Sequence, residues 1–286
     1  NGYGFGRMTL MPIAAELSDR IAVGTVYEAG DVPVDRVALV LTPHMGALDD
    51  DLARSAVLTV GNLDHVGALR GNGWTGAVAV KLQSSMRRYG TSIGDLEAVV
   101  AAIRSAGMTM DSYALHLPLG GMAADAVAEI DGWMPHLDVS CPVAISHVDG
   151  ASYARVIEAH RRHTFRIRVG TALWHADKSL LQLTADVLEV RVVRTGVACG
   201  YRATPAPADG HVVMIAAGSA HGVRALDDGR SPFHFRRRRI DLLEPPHMHT
   251  SIAFVARKDD CPAIGDRVDV QRPLTTTTID ELEWTA

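Results

Sequence analysis

Short apolar runs alternate with helical stretches up to about residue 170, and that alternation narrows the available folds more than any other feature of the chain. The runs are Ile21–Val26, Val37–Leu41, Ala56–Val60, Ala77–Leu82, Ser112–Leu117, Val143–Ser146 and Phe165–Val169. They are rich in Val, Ile and Leu and nearly continuous, as strands buried on both faces of a parallel sheet are, though a short buried helix segment carries a similar pattern. The clearest helical stretch takes Thr91-Ser92 as its cap, sets Leu96, Val99, Val100 and Ile103 on one stripe and stops at Gly107. Another runs from Thr9 to Leu17, with Pro12 tolerable only in its first turn. Repeated strand–helix alternation predicts parallel βαβ units with right-handed crossovers. Seven strands, with an eighth expected upstream of Asn1, count to a (β/α)8 TIM-like barrel over residues 1–183.

The rhythm changes after Leu183. Short strands at Val187–Val193, Val212–Ala216, Ile252–Ala256 and Arg267–Val270 are separated by turn-rich segments such as Pro205-Ala206-Pro207-Ala208-Asp209-Gly210. A helical stripe returns only at Ile279–Trp284. Residues 184–286 therefore read as a smaller C-terminal all-β domain. A formal net charge of −5 argues against a nucleic-acid or anionic-membrane partner. No apolar run has the roughly 18 residues a membrane span needs. Three cysteines far apart, Cys141, Cys199 and Cys261, form no disulfide framework, so a reducing cytoplasm is the simplest compartment.

Several segments carry residues suited to chemistry. Asn1-Gly2-Tyr3-Gly4-Phe5-Gly6 precedes a helix, and a glycine-rich turn there either holds a phosphate through backbone N–H groups or is a flexible end. Lys81, and Arg88 a few residues on, stand at the C-terminal end of a predicted strand, the edge where parallel barrels build sites; both also read as solvated surface cations. His116 and Arg168 end later strands, and a lone strand-end histidine is also a common hydrogen-bonded core residue. Alternation in Arg166-Ile167-Arg168 sends both arginines to one side. His247 and His249, two apart, read as surface histidines with no third metal ligand at useful spacing. Arg236–Arg239 grips a phosphate or acidic partner, or pairs with acidic residues of this chain or a partner chain. Asp49-Asp50-Asp51 reads as a helix start.

In this order the segments resemble the alanine racemase family of pyridoxal-phosphate enzymes, across nearly the whole chain. Asn1–Gly6 is similar to the end of that family's Lys-Ala-Asn-Ala-Tyr-Gly-His-Gly, which puts the Schiff-base lysine two positions before Asn1. Lys81…Met86…Arg88-Tyr89-Gly90 resembles Lys-x-Asp-Thr-Gly-Met-x-Arg-x-Gly, and Arg168–Trp174 resembles Arg-x-Gly-Ile-Ala-x-Tyr. Gly200-Tyr201-Arg202-Ala203-Thr204 is similar to Ser-Tyr-Gly-Ala-Thr, and Ile215–Gly222 to Ile-Pro-Ile-Gly-Tyr-Ala-Asp-Gly.

The resemblance implies a role for each residue. Tyr3, Gly170 and Thr171 would hold the cofactor phosphate, with the loop ending at Gly150 a looser candidate. Arg88 would bond the cofactor's phenolic oxygen, oriented by Lys81, which is carbamylated in many relatives. Arg168 would face the pyridine nitrogen; a guanidinium keeps its proton, so the ring stays a weaker electron sink. Tyr201, polarised by His116, would be the base on one face of the substrate, and the upstream lysine the base on the other. Tyr201 would come from the partner subunit, making a homodimer with shared active sites. Departures gather on the substrate side. Ser219 replaces a tyrosine that narrows the entrance, and His221 replaces an aspartate. His247-Met248-His249-Thr250 stands for Cys-Met-Asp-Gln, where the Met248 N–H would help bind the substrate carboxylate. The chain stops near Trp284, short of the family's last phosphate-binding tyrosine.

The expected function is interconversion of L- and D-amino acids by a two-base Lys/Tyr mechanism, on a small amino acid and with pyridoxal 5'-phosphate. The alternative is a catalytically silent homologue that binds the cofactor or an amino acid and acts through a partner. A decarboxylase on the related barrel is disfavoured, because such enzymes place an acid, not an arginine, at the pyridine nitrogen.

Overall fold

Seven parallel strands pair in chain order: β1 (Arg20–Val23), β2 (Val37–Val40), β3 (Val57–Val60), β4 (Ala77–Lys81), β5 (Thr109–His116), β6 (Val143–Ser146) and β7 (Phe165–Arg168). This is a TIM-like α/β partial barrel, seen in a computed structural model that describes residues 2–49, 52, 55–119 and 123–284. Helix α1 (Arg7–Leu17) precedes β1. Helices α2 (Leu63–Gly71), α3 (Leu96–Ser105), α4 (Ala123–Trp133) and α5 (Gly150–Ala159) fill the later crossovers, and a short α6 (Thr171–Trp174) follows β7.

Side-chain alternation separates two faces of this sheet. Val40, Leu58, Val60, Val78, Val80, Leu115 and Ile145 pack outward with Val66, Leu69, Val99, Ile103 and Ile130 of the helices. The other face starts with smaller groups, Leu39, Val57 and Ala79, which form a core cluster of their own. Low on that face, Asp111 bonds Arg20 at 2.6 Å and Arg166 at 3.4 Å. Both arginines of β7 thus share a side, as alternation requires, but Arg166 is held by Asp111.

The chain divides into two units, Met11–Leu173 and a second that joins Asn1–Leu10 to Trp174–Ala286. In the second, β8 (Thr184–Val193) starts a seven-stranded antiparallel sheet. A two-stranded ribbon, β9 (Ala198–Cys199) with β10 (Thr204–Pro205), stands outside it. The sheet continues with β11 (Gly210–Ile215), β12 (Phe233–Phe235), β13 (Arg238–Arg239), β14 (Asp241–Leu242), β15 (Ser251–Val255) and β16 (Arg267–Val270). Phe233, Val213, Ile215, Ala253 and Val268 form its core.

Several local expectations are corrected. Helix α1 starts at Arg7, so Pro12 falls inside it and not in the first turn; the carbonyl its ring cannot reach belongs to Met8, an exposed residue. Helix α3 is capped at Asp95, one turn after Thr91-Ser92. Thr91 is instead drawn into a bridge with Leu82, and Ser92 bonds Asp95. No helix forms over Ile279–Trp284, because a stretch that short closes too few internal bonds. Arg267 pins it through two 2.7 Å bonds to Glu283. Arg236 and Arg237 form the tight turn between β12 and β13, both with positive φ. Arg238 pairs with Asp260, and Arg239 bonds Gln271, so this run is partly matched within the chain. Asp50 and Asp51 lie outside the described residues, and Asp49 stands in irregular chain. The three cysteines are free. Among the described residues no helix is long and apolar enough to cross a membrane.

Candidate active site

Register builds the mouth of the barrel. His116 of β5 pairs with Ser146 of β6, and Ser146 with Arg168 of β7, so three strand ends raise polar side chains at one level. Lys81 ends β4 two residues lower, paired with Ala114. The chain leaving β4 loops out through Arg88 and returns to the strand where Thr91 N donates to Lys81 O. Gly90 makes that return possible: its φ is +144°, and a Cβ there would lie 2.6 Å from the Leu82 carbonyl carbon.

Lys81, Arg88, His116 and Arg168 line one cavity of about 360 Å³, with Gly24, Leu39, Leu41, Thr42, Thr59, Tyr89 and Ala114. That is a ligand-sized space. It receives three cations, Lys81, Arg88 and Arg168, and no carboxylate among the described lining residues. Arg168 Nη2 lies 2.5 Å from His116 Nδ1, and Ser146 Oγ is also 2.5 Å from that nitrogen. A guanidinium only donates, so Nδ1 accepts and the imidazole proton sits on Nε2. Burial, then the charges of Arg168 and Lys81, push His116 down to about 3, and it is neutral at ordinary pH. Burial, then Arg168 and Arg88, lower Lys81 to about 7. Lys81 is only 6% exposed. Charged groups held this way call for an anionic or electron-rich ligand.

Tyr89 was not singled out for chemistry by sequence. Its hydroxyl donates to Leu41 O at 3.1 Å, and Arg88 lies over its ring at 4.8 Å. An aromatic beside the strand-end arginine is the signal that would have found it.

The remaining expected residues stand elsewhere. Gly170 and Thr171 follow β7 directly. Gly150 opens α5, but the Asp149 carboxylate caps that end by accepting from Ser152 N at 2.7 Å, so an anion there meets like charge. Tyr3, Tyr201, Ser219 and Met248 belong to the second unit. Tyr3 is fixed through its backbone, its carbonyl accepting from His175 at 2.8 Å. Ser219 N donates to His247 O at 2.7 Å, and Ala220 N to Met248 O at 2.8 Å, which ties the Ser219 and Met248 segments together. Tyr201 is 88% exposed. His247 is not a surface histidine: its side chain is 14% exposed and bonds the buried Glu244. No group of three metal-ligating side chains occurs among the described residues.

A family model described as alanine racemase, N-terminal domain, matches residues 1–198. Among solved structures, the chain resembles the alanine racemase of Bartonella henselae with covalently bound pyridoxal phosphate, at 16% identity and a TM-score of 0.72 over 98% of this chain and 88% of that one. It also resembles the biosynthetic alanine racemase of Pseudomonas aeruginosa, at 19% identity and a TM-score of 0.67 with the same two coverages. That of Acinetobacter baumannii matches at 16% identity and a TM-score of 0.65, over 98% of this chain and 83% of that one. No curated protein matches in sequence. At these identities the structural likeness establishes the shared fold, and the family model, matching more than half the chain, establishes membership. The chain belongs to the alanine racemase family.

Proposed function

We propose that this protein is a pyridoxal-phosphate-dependent amino-acid racemase. The observation that carries the reading is Arg168 set 2.5 Å from a neutral His116, above Lys81 and beside Arg88, in one cavity at the C-terminal ends of the strands. The donor set fits the cofactor. Three cationic side chains on the described lining suit a phosphorylated, electron-rich ring, and the volume suits a ligand of that size. When bound, pyridoxal phosphate supplies the sink for the electron pair left when the substrate's α-proton departs.

This chain's own residues divide the remaining work. Arg88 and Lys81 hold the phenolic edge of the ring. Gly170 and Thr171 would hold the phosphate, with Tyr3 as the family resemblance implies; Gly150 is left out because Asp149 already occupies its helix end. Arg168 would face the ring nitrogen, and because a guanidinium keeps its proton the sink would stay weak and return of the α-proton would be favoured. His116, its Nδ1 engaged by Arg168 and Ser146, remains a neutral acceptor that fixes the guanidinium. The Tyr201 phenol oxygen takes and returns the α-proton on one face, and the lysine that the resemblance places ahead of Asn1 does so on the other. Tyr201 reaches the substrate from the partner subunit of a homodimer, and Ser219 and Met248 border a wider entrance than relatives have.

The test is α-proton exchange in heavy water, with pyridoxal phosphate and a panel of amino acids, followed by NMR. Deuterium incorporation with loss of optical purity is expected for at least one small amino acid. Failure of every substrate to exchange would sink the reading.

A further inference from the structure

We propose that Glu244 and His247 are positioning residues for Tyr201, in a device that uses two departures from the family motifs, Gly200 and His247. The proposal rests on the racemase reading above for its catalytic meaning and on geometry alone for its structural content. Glu244 is 5% exposed. Its Oε1 accepts from Tyr201 N at 2.9 Å, and its Oε2 from Arg202 N at 3.2 Å and Thr204 Oγ1 at 3.1 Å. His247 Nε2 bonds the same Oε1. One carboxylate therefore holds Tyr201 and the two residues after it that donate, Arg202 and Thr204. Although burial alone would raise its pKa, the bonds from His247, Arg202, Thr204 and Tyr201 outweigh it and bring Glu244 below its ordinary value. It is a carboxylate at ordinary pH, an acceptor that four donors can share.

Gly200 is the matching half. Its φ is +74°, and a Cβ there would lie 2.0 Å from Glu244 Oε1. The family motif has a serine where this chain has Gly200, so the carboxylate occupies the room that a side chain would have needed. His247 completes the device from the other side. Its ring lies against that of Tyr201, centroids 4.3 Å apart and planes inclined by 36°. Tyr201 thus has a fixed backbone and one covered ring face, while the residue stays exposed to meet an outside substrate.

The test uses protein carrying ring-carbon-labelled tyrosine, with the Tyr201 resonance assigned by its loss in Tyr201→Phe. Glu244→Ala and His247→Ala are each expected to move that resonance toward the position of a freely exposed tyrosine. In the exchange assay they are expected to lower kcat about 100-fold, the order that a small misplacement of a reacting group costs, with KM changed less than about 3-fold. Absorbance of the bound cofactor should be unchanged. Glu244→Gln keeps the size and one acceptor, and it serves if Glu244→Ala does not fold; its Tyr201 resonance should shift in the same direction. A Tyr201 resonance that overlays the wild type in the folded Glu244 and His247 variants would overturn the proposal, as would unchanged kcat. If the wild type exchanges no amino acid, the racemase reading fails and the resonance still decides the positioning role.

Discussion

In the barrel cavity three cations crowd one neutral imidazole with no carboxylate among the described lining residues, whereas in the second unit one carboxylate is wrapped by four donors. The first arrangement gathers charge of one sign on its described lining. Lys81 is so poorly solvated and so close to Arg168 and Arg88 that its proton is half lost near pH 7. The second is complete: the Glu244 charge is fully engaged, and the Tyr201 side chain is left exposed. A lining of one sign marks where a ligand's opposite charge belongs, and a fully bonded carboxylate marks a mount for a side chain that acts on something else. A binding pocket and a tool holder need opposite electrostatics, and this chain has one of each.

Breaking the tool is expected to have the largest effect. Tyr201→Phe removes the hydroxyl and leaves the ring on His247. Loss of a positioned acid–base group lowers rates by about 10²–10⁴. Exchange in heavy water should fall within that range while the melting temperature and cofactor absorbance hold. An exchange rate within a few-fold of wild type would remove Tyr201 from the chemistry and leave its mount without a purpose.

Breaking the mount comes next. Gly200→Ala forces an L side chain to positive φ and drives a methyl into Glu244. Left-handed strain and overpacking together cost about 3 kcal/mol. Urea unfolding should show a loss of unfolding free energy of that size, and Gly107→Ala is the control. It has a similar φ of +73° but nothing within 4 Å of its Cβ, so it should lose only the strain.

The cavity should answer with the opposite sign. Lys81 titrates near 7 when folded and near 10.5 when unfolded, so between those values the unfolded chain binds more protons and stability rises with pH. Below about pH 7 the folded state carries the whole burden of a buried ammonium. Lys81→Met should therefore stabilise the protein by about 2 kcal/mol at pH 6, a figure reduced from the full shift to allow for relaxation around the charge. The gain should shrink as pH rises toward 10.5. A pH-independent difference between the two proteins would mean that packing, not charge, separates them. Pyridoxal phosphate should erode the variant's advantage by stabilising the wild type more.

Much of this was legible in the sequence, for reasons that particular residues illustrate. The apolar runs located all seven barrel strands, and Val143–Ser146 matches β6 at both ends, because two-sided burial leaves an apolar signature that tertiary contacts do not alter. Lys81, His116 and Arg168 were visible as polar residues ending such runs. Their convergence was not: it follows from the pairing of His116 with Ser146 and of Ser146 with Arg168, and register is set by the whole sheet. Glu244 was invisible, since its backbone and hydroxyl donors lie some 40 residues earlier in the chain. Ile279–Trp284 misled because helical spacing over six residues carries no information about whether a helix can nucleate.

The smallest prediction compares single hydrogen bonds in the two regions. Thr204→Val deletes one donor to Glu244, and Ser146→Ala deletes one partner of His116. A bond to a charged, buried acceptor is worth about 1.5–3 kcal/mol, and one between neutral groups about 0.5–1.5 kcal/mol. Thr204→Val should therefore destabilise more than Ser146→Ala, although Thr204 is the less buried of the two. Ser146 has a second contact, as acceptor from Arg168 Nη2 at 3.3 Å, but that arginine retains His116 Nδ1 when the hydroxyl is gone. The difference should narrow as pH falls and Glu244 takes up a proton, since a carboxylate lowered below its ordinary value in the folded state gives up its stabilisation as pH falls. Equal losses at pH 7 would mean that the Glu244 charge is shared so widely that no single donor matters, and the contrast between pocket and mount would then rest on Lys81 alone.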